Sequence, residues 1–333
     1  MLKHNIHLKI CLGVLLIAGF MSAAHAADKK LGQTGFQFLS VNNDARSSAL
    51  GEAATTLENG VNSLFFNPAG LARTNKYIEL TASQNAWIDN IKHNTYALAV
   101  RPGDGRMGVF GLTAHSIDYG EVQGTMAWQN DQGYIDTEIL YPSAFALGVG
   151  YAVALSDKFS VGGSLKYSGQ NLGKSIVPDA DSLKVKKNLA NATSFDFGTQ
   201  FKTGFRSLMF GMTFQNFSEE ISYERENFQL PLTFTIGIAM DLLDLLESKP
   251  KGQQLWCYVD ATHPRSYPEQ VNMGLEYGFM NTLFFRAGYM MNSDERDLNF
   301  GAGLQLMGFS FNYSYTPFGV FDPVQRITVG FGF

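Results

Sequence analysis

The stretch of sequence that decides the fold is SAFALGVGYAVAL, residues 143–155. Its odd-numbered positions read Ser, Phe, Leu, Val, Tyr, Val and Leu, while its even-numbered positions hold only Ala and Gly. Successive side chains of a β-strand point to opposite faces. The period of two therefore predicts a strand with one large apolar face and one small face.

The same alternation recurs in residues 159–168, 195–202, 230–240 and 271–279. These runs last about 9 to 13 residues, whereas strands of globular proteins average about 5 to 6. The small face also carries five charged residues, which are Lys166, Asp196, Lys202, Glu276 and Arg286. Long strands with an apolar face and a polar face are typical of a membrane barrel, which meets lipid outside and water inside.

Counting every such run predicts an all-β fold, a fourteen-stranded antiparallel transmembrane β-barrel. The strands are expected near 77–85, 93–101, 106–118, 142–155, 158–170, 193–203, 207–217, 230–240, 254–262, 270–279, 282–290, 297–307, 308–316 and 324–333. Tight turns are expected at 102–105, 156–157, 203–206, 280–281 and 307–308. Longer loops are expected at 86–92, 119–141, 171–192, 218–229, 263–269, 291–296 and 317–323.

Short turns on one side and long loops on the other are typical of bacterial outer-membrane barrels, and an even strand count places both termini in the periplasm. One expected periplasmic connection is long. Residues 241–253 contain the segment DLLDLLE, which predicts a short amphipathic helix that either caps the barrel or docks a partner.

The composition agrees with a barrel and excludes several other classes. The chain has 333 residues, 34 of them Gly and 27 Phe, and only 17% are charged. Its mean hydropathy of −0.07 is too polar for a bundle of membrane helices, each of which needs about 20 apolar residues. Two cysteines, Cys11 and Cys257, are too few for a disulfide framework or a Cys-based zinc site.

Residues 1–26 are predicted to be a signal peptide. A basic start with Lys3 and Lys9 precedes an apolar core, and Ala24-His25-Ala26 fits the small-x-small pattern of a cleavage site. Cleavage there leaves 23 basic residues against 30 acidic residues, a balance that argues against nucleic acid as a partner. We expect an N-terminal hatch over residues 27–76 and a barrel over residues 77–333.

The last strand carries its own signal. Ile327, Val329, Phe331 and Phe333 alternate with small or polar residues, and the chain ends on the aromatic residue. This resembles the C-terminal strand that the outer-membrane assembly machinery recognises. The resemblance implies that machinery as a partner, with Phe331 and Phe333 as the assembly signal.

The hatch does not alternate. Asn43 or Asp44 is expected to cap a short helix that continues through Leu57, and residues 64–71 are expected to form a rigid turn around Pro68 and Gly70. A barrel of fourteen strands is too wide for wall side chains alone to fill, so its lumen holds either water or a plug. The sequence predicts that this partly helical segment is the plug.

Two motifs of the hatch resemble a known family. DARSSALGEA, residues 44–53, and SLFFNPAGLA, residues 63–72, are similar to the hatch of FadL-type outer-membrane proteins, and within them to the PorV/PorQ family. The resemblance implies a gating motif at Asn67, Pro68, Ala69 and Gly70, and a hatch helix with Arg46, Leu50 and Gly51 at key positions. The sequence departs from the family pattern at Glu52, where Gly or another small residue is common.

The resemblance implies a function in an outer membrane that contains lipopolysaccharide, and the motifs favour the PorV/PorQ role over the FadL-type alternative. PorV/PorQ barrels belong to the type IX secretion system and handle secreted cargo at the cell surface, so secretion components and cargo would be the partners. FadL-type barrels carry long-chain fatty acids or other hydrophobic small molecules. Tyr119, Trp128, Tyr134 and Tyr141 in the long loop could anchor a protein partner or form an aromatic belt at the membrane surface.

An enzyme is not expected, and no cofactor or metal is predicted. The sequence has no Gly-x-Ser-x-Gly elbow and no His-Glu-x-x-His helix. His93, His115 and His263 are isolated in sequence, so they are expected to lie in loops or at the rim rather than in a catalytic site. No ligand cluster has the spacing of a metal site.

Overall fold

The computed structural model describes residues 33–179, 182–223, 226–293 and 296–333. The predicted signal peptide, residues 1–26, lies outside the described residues. In the described part of the chain, no helix has both the length and the apolar character needed to span a membrane.

Fourteen long strands form a closed antiparallel barrel, and four short strands form two small hairpins outside it. The barrel strands are β1 (Ile78–Ala86), β2 (Lys92–Val100), β3 (Val109–Asp118), β6 (Ser143–Ala154), β7 (Phe159–Asp179), β8 (Ser182–Lys202), β9 (Met209–Ser218), β12 (Thr233–Asp241), β13 (Gln253–Pro264), β14 (Gln270–Phe279), β15 (Leu283–Met291), β16 (Leu298–Leu306), β17 (Phe309–Phe318) and β18 (Phe321–Gly332). The hairpins pair β4 (Val122–Ala127) with β5 (Tyr134–Leu140), and β10 (Ile221–Ser222) with β11 (Asn227–Phe228).

Each barrel strand pairs with its sequence neighbours in the barrel, and β1 closes the ring against β18. The closing register runs from Glu79 opposite Gly332 to Ala86 opposite Gln325 without interruption. Every backbone group of a lipid-facing strand then has a partner, which a membrane demands. The predicted fourteen-stranded antiparallel fold is confirmed.

In β6 the large and the small residues lie on opposite faces, as predicted. Its large residues, such as Leu147 and Val149, point outward and are exposed, whereas Ala144 and Ala146 point into the lumen and are buried. Neighbouring strands repeat the pattern, so the outer wall is an apolar surface and the small face lines the lumen. The alternation arises because one face of the sheet contacts lipid and the other face contacts the lumen.

Two predicted loops are wrong. Residues 171–179 and 182–192 belong to β7 and β8 instead of forming a loop, with Lys174 opposite Lys187. Residues 317–323 hold only a two-residue turn at Gly319 and Val320 between β17 and β18. Alternation marks where a strand meets lipid, but backbone pairing continues beyond the lipid.

The hatch runs down the lumen from the long-loop end to the short-turn end. Thr34 bridges to Gln229 near the long loops, and the chain then passes through 3-10 turns at Gln37–Ser40, Gly60–Phe65 and Pro68–Arg73 before entering β1. The described chain therefore starts at the long-loop rim, whereas β1 begins at the short-turn rim. Both ends of the barrel itself lie at the short-turn rim, and assigning that rim to the periplasm stays a prediction.

The hatch helix is shorter than predicted. Helix α1 covers Ala45–Ala49, capped by the Asp44 carboxylate, which accepts from the Ser47 amide at 2.8 Å. It ends far before Leu57 because Gly51 and Glu52 have φ of +65° and +63°, outside the right-handed helix. The predicted helix in 241–253 is likewise reduced to one 3-10 turn, Leu242–Leu245.

We expect that deletion of Phe333 impairs assembly. The backbone carbonyl of Phe333 accepts from the amides of Tyr77 at 2.6 Å and Ile78 at 3.2 Å, so the last residue helps to close the barrel. Its loss leaves these amides without a partner at the membrane. The folded fraction, measured as heat-dependent mobility on a gel, should fall.

The matched control is Phe321→Ala, which removes an exposed aromatic ring at the other end of β18. That variant should fold like the wild type. Equal folded fractions of the truncated chain and the wild type would refute the role of the terminal residue.

Candidate functional site

Asn67 holds in place the segment 67–70, which the sequence predicts to be a gating motif. Its Oδ1 accepts from the Ala69 amide at 3.1 Å, while its Nδ2 donates to the carbonyls of Thr55 at 2.7 Å and Thr199 at 3.1 Å. Pro68 opens the following turn, where its fixed φ suits the first helical position. One side chain thus ties two parts of the hatch to strand β8.

Glycines in the wall provide seats for the hatch. A Cβ added to Gly162 would lie 2.6 Å from the Pro68 carbonyl, and one added to Gly198 would overlap the Asn67 side chain. On the opposite wall, a Cβ at Gly274 would lie 2.6 Å from the Leu50 carbonyl, and one at Gly288 would overlap Gly51. These wall positions tolerate no side chain because the hatch backbone lies directly against them.

The five lumen-facing charges predicted from the sequence are all paired. Glu276 pairs with Arg46 of the hatch at 2.7 Å and with Arg286 at 2.5 Å. Lys166 pairs with Asp196 at 2.8 Å, and Lys202 pairs with Glu58 of the hatch at 2.6 Å. Two of these links join the wall to the hatch.

The Arg46 link is buried. Burial alone lowers the pKa of Arg46, but the charge of Glu276 and its hydrogen bonds outweigh burial and raise the pKa above its ordinary value. Arg46 therefore stays charged at every physiological pH, and the pair Arg46–Glu276 holds α1 against β14. Leu50, at the end of α1, is fully buried in an apolar cluster of the lumen.

A cavity of about 760 Å³ lies in the lumen between the hatch and the long-loop end. Aromatic side chains from the hatch, the wall and the loops line it, namely Phe36, Phe38, Trp87, Tyr119, Tyr223 and Phe318. Burial raises the pKa of Tyr223 to about 12, so its hydroxyl stays protonated. The aromatic lining was not predicted, because its members come from five separate segments.

Two histidines face this cavity side by side. His93 Nδ1 lies 3.0 Å from His115 Nε2, which lies 3.0 Å from Asn43 Nδ2, and both rings are buried. The expectation that both lie in loops or at the rim is wrong, because His93 is in β2, His115 is in β3, and both point inward. Both histidines occupy inward positions of adjacent strands, and the strand register places them two residues apart. This register was the signal that could have predicted their contact. His263, in contrast, is exposed and pairs with Glu269 at 3.1 Å.

Trp87, in the loop between β1 and β2, lies at the edge of the cavity. The guanidinium groups of Arg296 and Arg326 lie 5.8 Å and 5.5 Å from its ring centroids. Arg296 also pairs with Glu52 at 2.7 Å. Glu52 adopts a conformation that favours glycine, which explains why small residues are common there, and its carboxylate gives this chain an ion pair.

Among the residues that the structure describes, no group of three or more His, Cys, Asp and Glu side chains could hold a metal ion. The lining of the cavity combines aromatic surface with the histidine pair, the amide of Asn43 and four charged side chains, which are Glu52, Lys166, Asp260 and Arg296.

Comparison with solved structures identifies the fold. The toluene transporter TbuX of Ralstonia pickettii matches with a TM-score of 0.57 and 12% identity over 87% of this chain and 98% of that chain. The toluene transporter TodX of Pseudomonas putida matches with a TM-score of 0.58 and 12% identity over 87% and 97%. A FadL homologue of Pseudomonas aeruginosa matches with a TM-score of 0.56 and 12% identity over 88% and 99%.

No protein-family profile and no curated protein sequence matches the chain. At 12% identity, the structural likeness establishes a FadL-like barrel, and it covers nearly the full length of these neighbours. The neighbours are transporters or their homologues rather than enzymes, and their fold supports the predicted outer-membrane location. The finer PorV/PorQ assignment receives no support from these matches.

We expect that Glu276→Ala destabilises the protein strongly. The substitution leaves Arg46 and Arg286 without their shared carboxylate, and breaking a buried ion pair costs about 3–5 kcal/mol. The measurement is the free energy of unfolding by urea in lipid vesicles. Lys202→Ala is the control, because its pair with Glu58 is half-exposed and worth about 0–1 kcal/mol. Similar losses in both variants would contradict the assigned role of Glu276.

Proposed function

We propose that this protein is an outer-membrane channel that takes up a hydrophobic small molecule through its lumen. The observation that carries the proposal is the aromatic cavity of about 760 Å³ between the hatch and the long loops. Small-molecule sites are usually apolar cavities of about 300–1,000 Å³ with a few polar groups. The FadL-like fold, shared with two toluene transporters, supports the same function.

The cavity could bind such a molecule by burying it among the rings. Phe36 and Phe38 come from the hatch, so a ligand in the cavity touches the hatch itself. The histidine pair and Asn43 offer polar contacts to a ligand that carries a hydrogen-bonding group. A ligand here therefore contacts both the wall and the plug.

The hatch must rearrange for passage, because its lower part fills the lumen below the cavity. The segment with Asn67, Pro68, Ala69 and Gly70 is the proposed gate. Hydrogen bonds from Asn67 and close packing on Gly162 and Gly198 hold it against the wall. Neutral hydrogen bonds are exchanged at lower cost than buried ion pairs, so this segment can move more easily than α1.

Ligand binding should be visible through Trp87, the only tryptophan that lines the described cavity. In a Trp128→Phe and Trp256→Phe background, addition of toluene or a long-chain fatty acid should change the fluorescence of Trp87. Ala146→Phe places a ring in the cavity and should weaken binding at least tenfold. Ala114→Phe points outward from the adjacent strand and should bind like the background. Equal affinities in both variants would refute the cavity as the binding site.

We propose attachment of secreted cargo, as in PorV/PorQ barrels, as a second candidate. The β4–β5 hairpin favours it, because residues 118–141 carry five acidic residues and no Lys or Arg. Trp128, Tyr134 and Tyr141 are exposed there, and aromatic residues are enriched at protein interfaces. The hairpin reaches the barrel through an ion pair of Glu138 with Lys174 at 3.8 Å.

A pull-down from native membranes tests the second candidate. Wild-type protein should recover secreted proteins that share a C-terminal domain, and a variant with residues 121–140 replaced by a short Gly-Ser linker should not. Replacement of residues 175–186, in the neighbouring hairpin, is the control and should retain them. Recovery of no such cargo by the wild type would leave uptake as the function and reject attachment.

A further inference from the structure

The short-turn rim is unusually apolar at its tips. Each connection presents at least one exposed large apolar residue, and the most exposed are Met107, Leu155, Phe205, Leu245, Met280 and Met307. Met307 is 87% exposed, more than any other methionine among the described residues. Single exposed apolar side chains are normal on a protein surface, whereas a contiguous apolar patch marks a contact with a partner or with lipid.

The tips differ around the ring. Four connections carry charged residues, among them Arg106, Asp157, Arg206 and Asp244. The turns after β14 and after β16 carry none, and residues 277–285, 301–312 and 327–333 contain no charged residue at all. These segments form the short-turn ends of β14 to β18, which are consecutive in the barrel. We call this part of the rim the apolar arc.

The two charge-free turns hold methionine where the backbone disfavours it. Met280 and Met307 have φ of +52° and +51°, and two-residue turns of this kind usually place Asn, Asp or Gly there. Any residue with a Cβ is strained in this conformation. Methionine at both positions therefore points to a use for its side chain, since a small polar residue would fit the backbone better.

The apolar arc is continuous with the lipid-facing wall. The ring centroids of Phe309 and Phe331 lie 4.6 Å apart on the outer face, with the rings tilted by 42°, and the ring of Phe331 lies 6.0 Å from that of Phe333. Leu283 and Leu306 extend the same surface to Met280 and Met307. No charged side chain interrupts the path from the wall to these two tips.

We propose that the apolar arc is immersed in the acyl chains of the phospholipid leaflet around the short-turn rim. The barrel then sits tilted, with the arc deeper in the membrane than the charged turns on the opposite side. Lipid is the occupant that fits, because the surface continues one that already faces lipid and offers no charge to a protein partner. The inference is independent of what the lumen carries.

Spin labels test the depth of each tip. In a Cys257→Ser background, Met280→Cys and Met307→Cys report on the arc, and Asp104→Cys and Asp157→Cys report on the charged turns. The purified, folded protein is placed in phosphatidylcholine vesicles that contain no other protein. Nitroxides at 280 and 307 should collide several-fold more often with oxygen than with a water-soluble nickel chelate. Labels at 104 and 157 should show the opposite preference.

The proposal is overturned if labels at 280 and 307 meet the nickel chelate as often as labels at 104 and 157. That result would mean that the arc is exposed to water and awaits a protein partner. A second measurement does not depend on labels. Met280→Asp together with Met307→Asp should slow insertion into vesicles several-fold, whereas Asp104→Asn together with Asp157→Asn should not. Equal insertion rates would also refute immersion.

Discussion

The direct contact between the hatch backbone and glycines of the wall is the interaction on which the rest of the structure depends. Gly162 and Gly198 contact the segment around Asn67 and Pro68. Gly274 and Gly288 contact the end of α1. A fourteen-stranded wall cannot fill its own lumen, so the plug must reach it closely on several sides. The abundance of glycine follows from this contact, because the inner face needs space for another backbone rather than side chains of its own.

The strands could be predicted because lipid forces the alternation of large and small residues. In β6 the prediction differs from the structure by only one residue at each end. The same reasoning failed where lipid no longer acts. Residues 171–192 have no apolar alternation, yet the hairpin of β7 and β8 continues through backbone hydrogen bonds that any sequence can make. Strand pairing outside the membrane therefore cannot be recognised from the amino-acid composition.

The site was predicted only in part, for the same physical reason. The inward direction of Glu276 follows from its place in the alternation, but its partner Arg46 lies 230 positions away and enters from the hatch. His93 and His115 both occupy inward positions, and the register of adjacent strands would have placed them together. The aromatic cavity needs the path of the hatch, which no period of the sequence encodes.

The hatch has one part that an ion pair to a buried carboxylate anchors and another part that hydrogen bonds and close packing hold. Helix α1 is anchored by the partly buried Arg46 on the buried carboxylate of Glu276, and loss of that carboxylate would leave the buried Arg286 without its ion-pair partner. Residues 60–73 are held by close packing on glycine and by hydrogen bonds to the wall, including one from the Val61 amide to the Glu79 carboxylate at 3.1 Å. Among the described residues, this segment has no buried ion pair to the wall. Motion of the lower hatch alone would connect the cavity to the short-turn end. A plug that never opens would gain nothing from this difference, so the uneven anchoring favours uptake over a purely structural hatch.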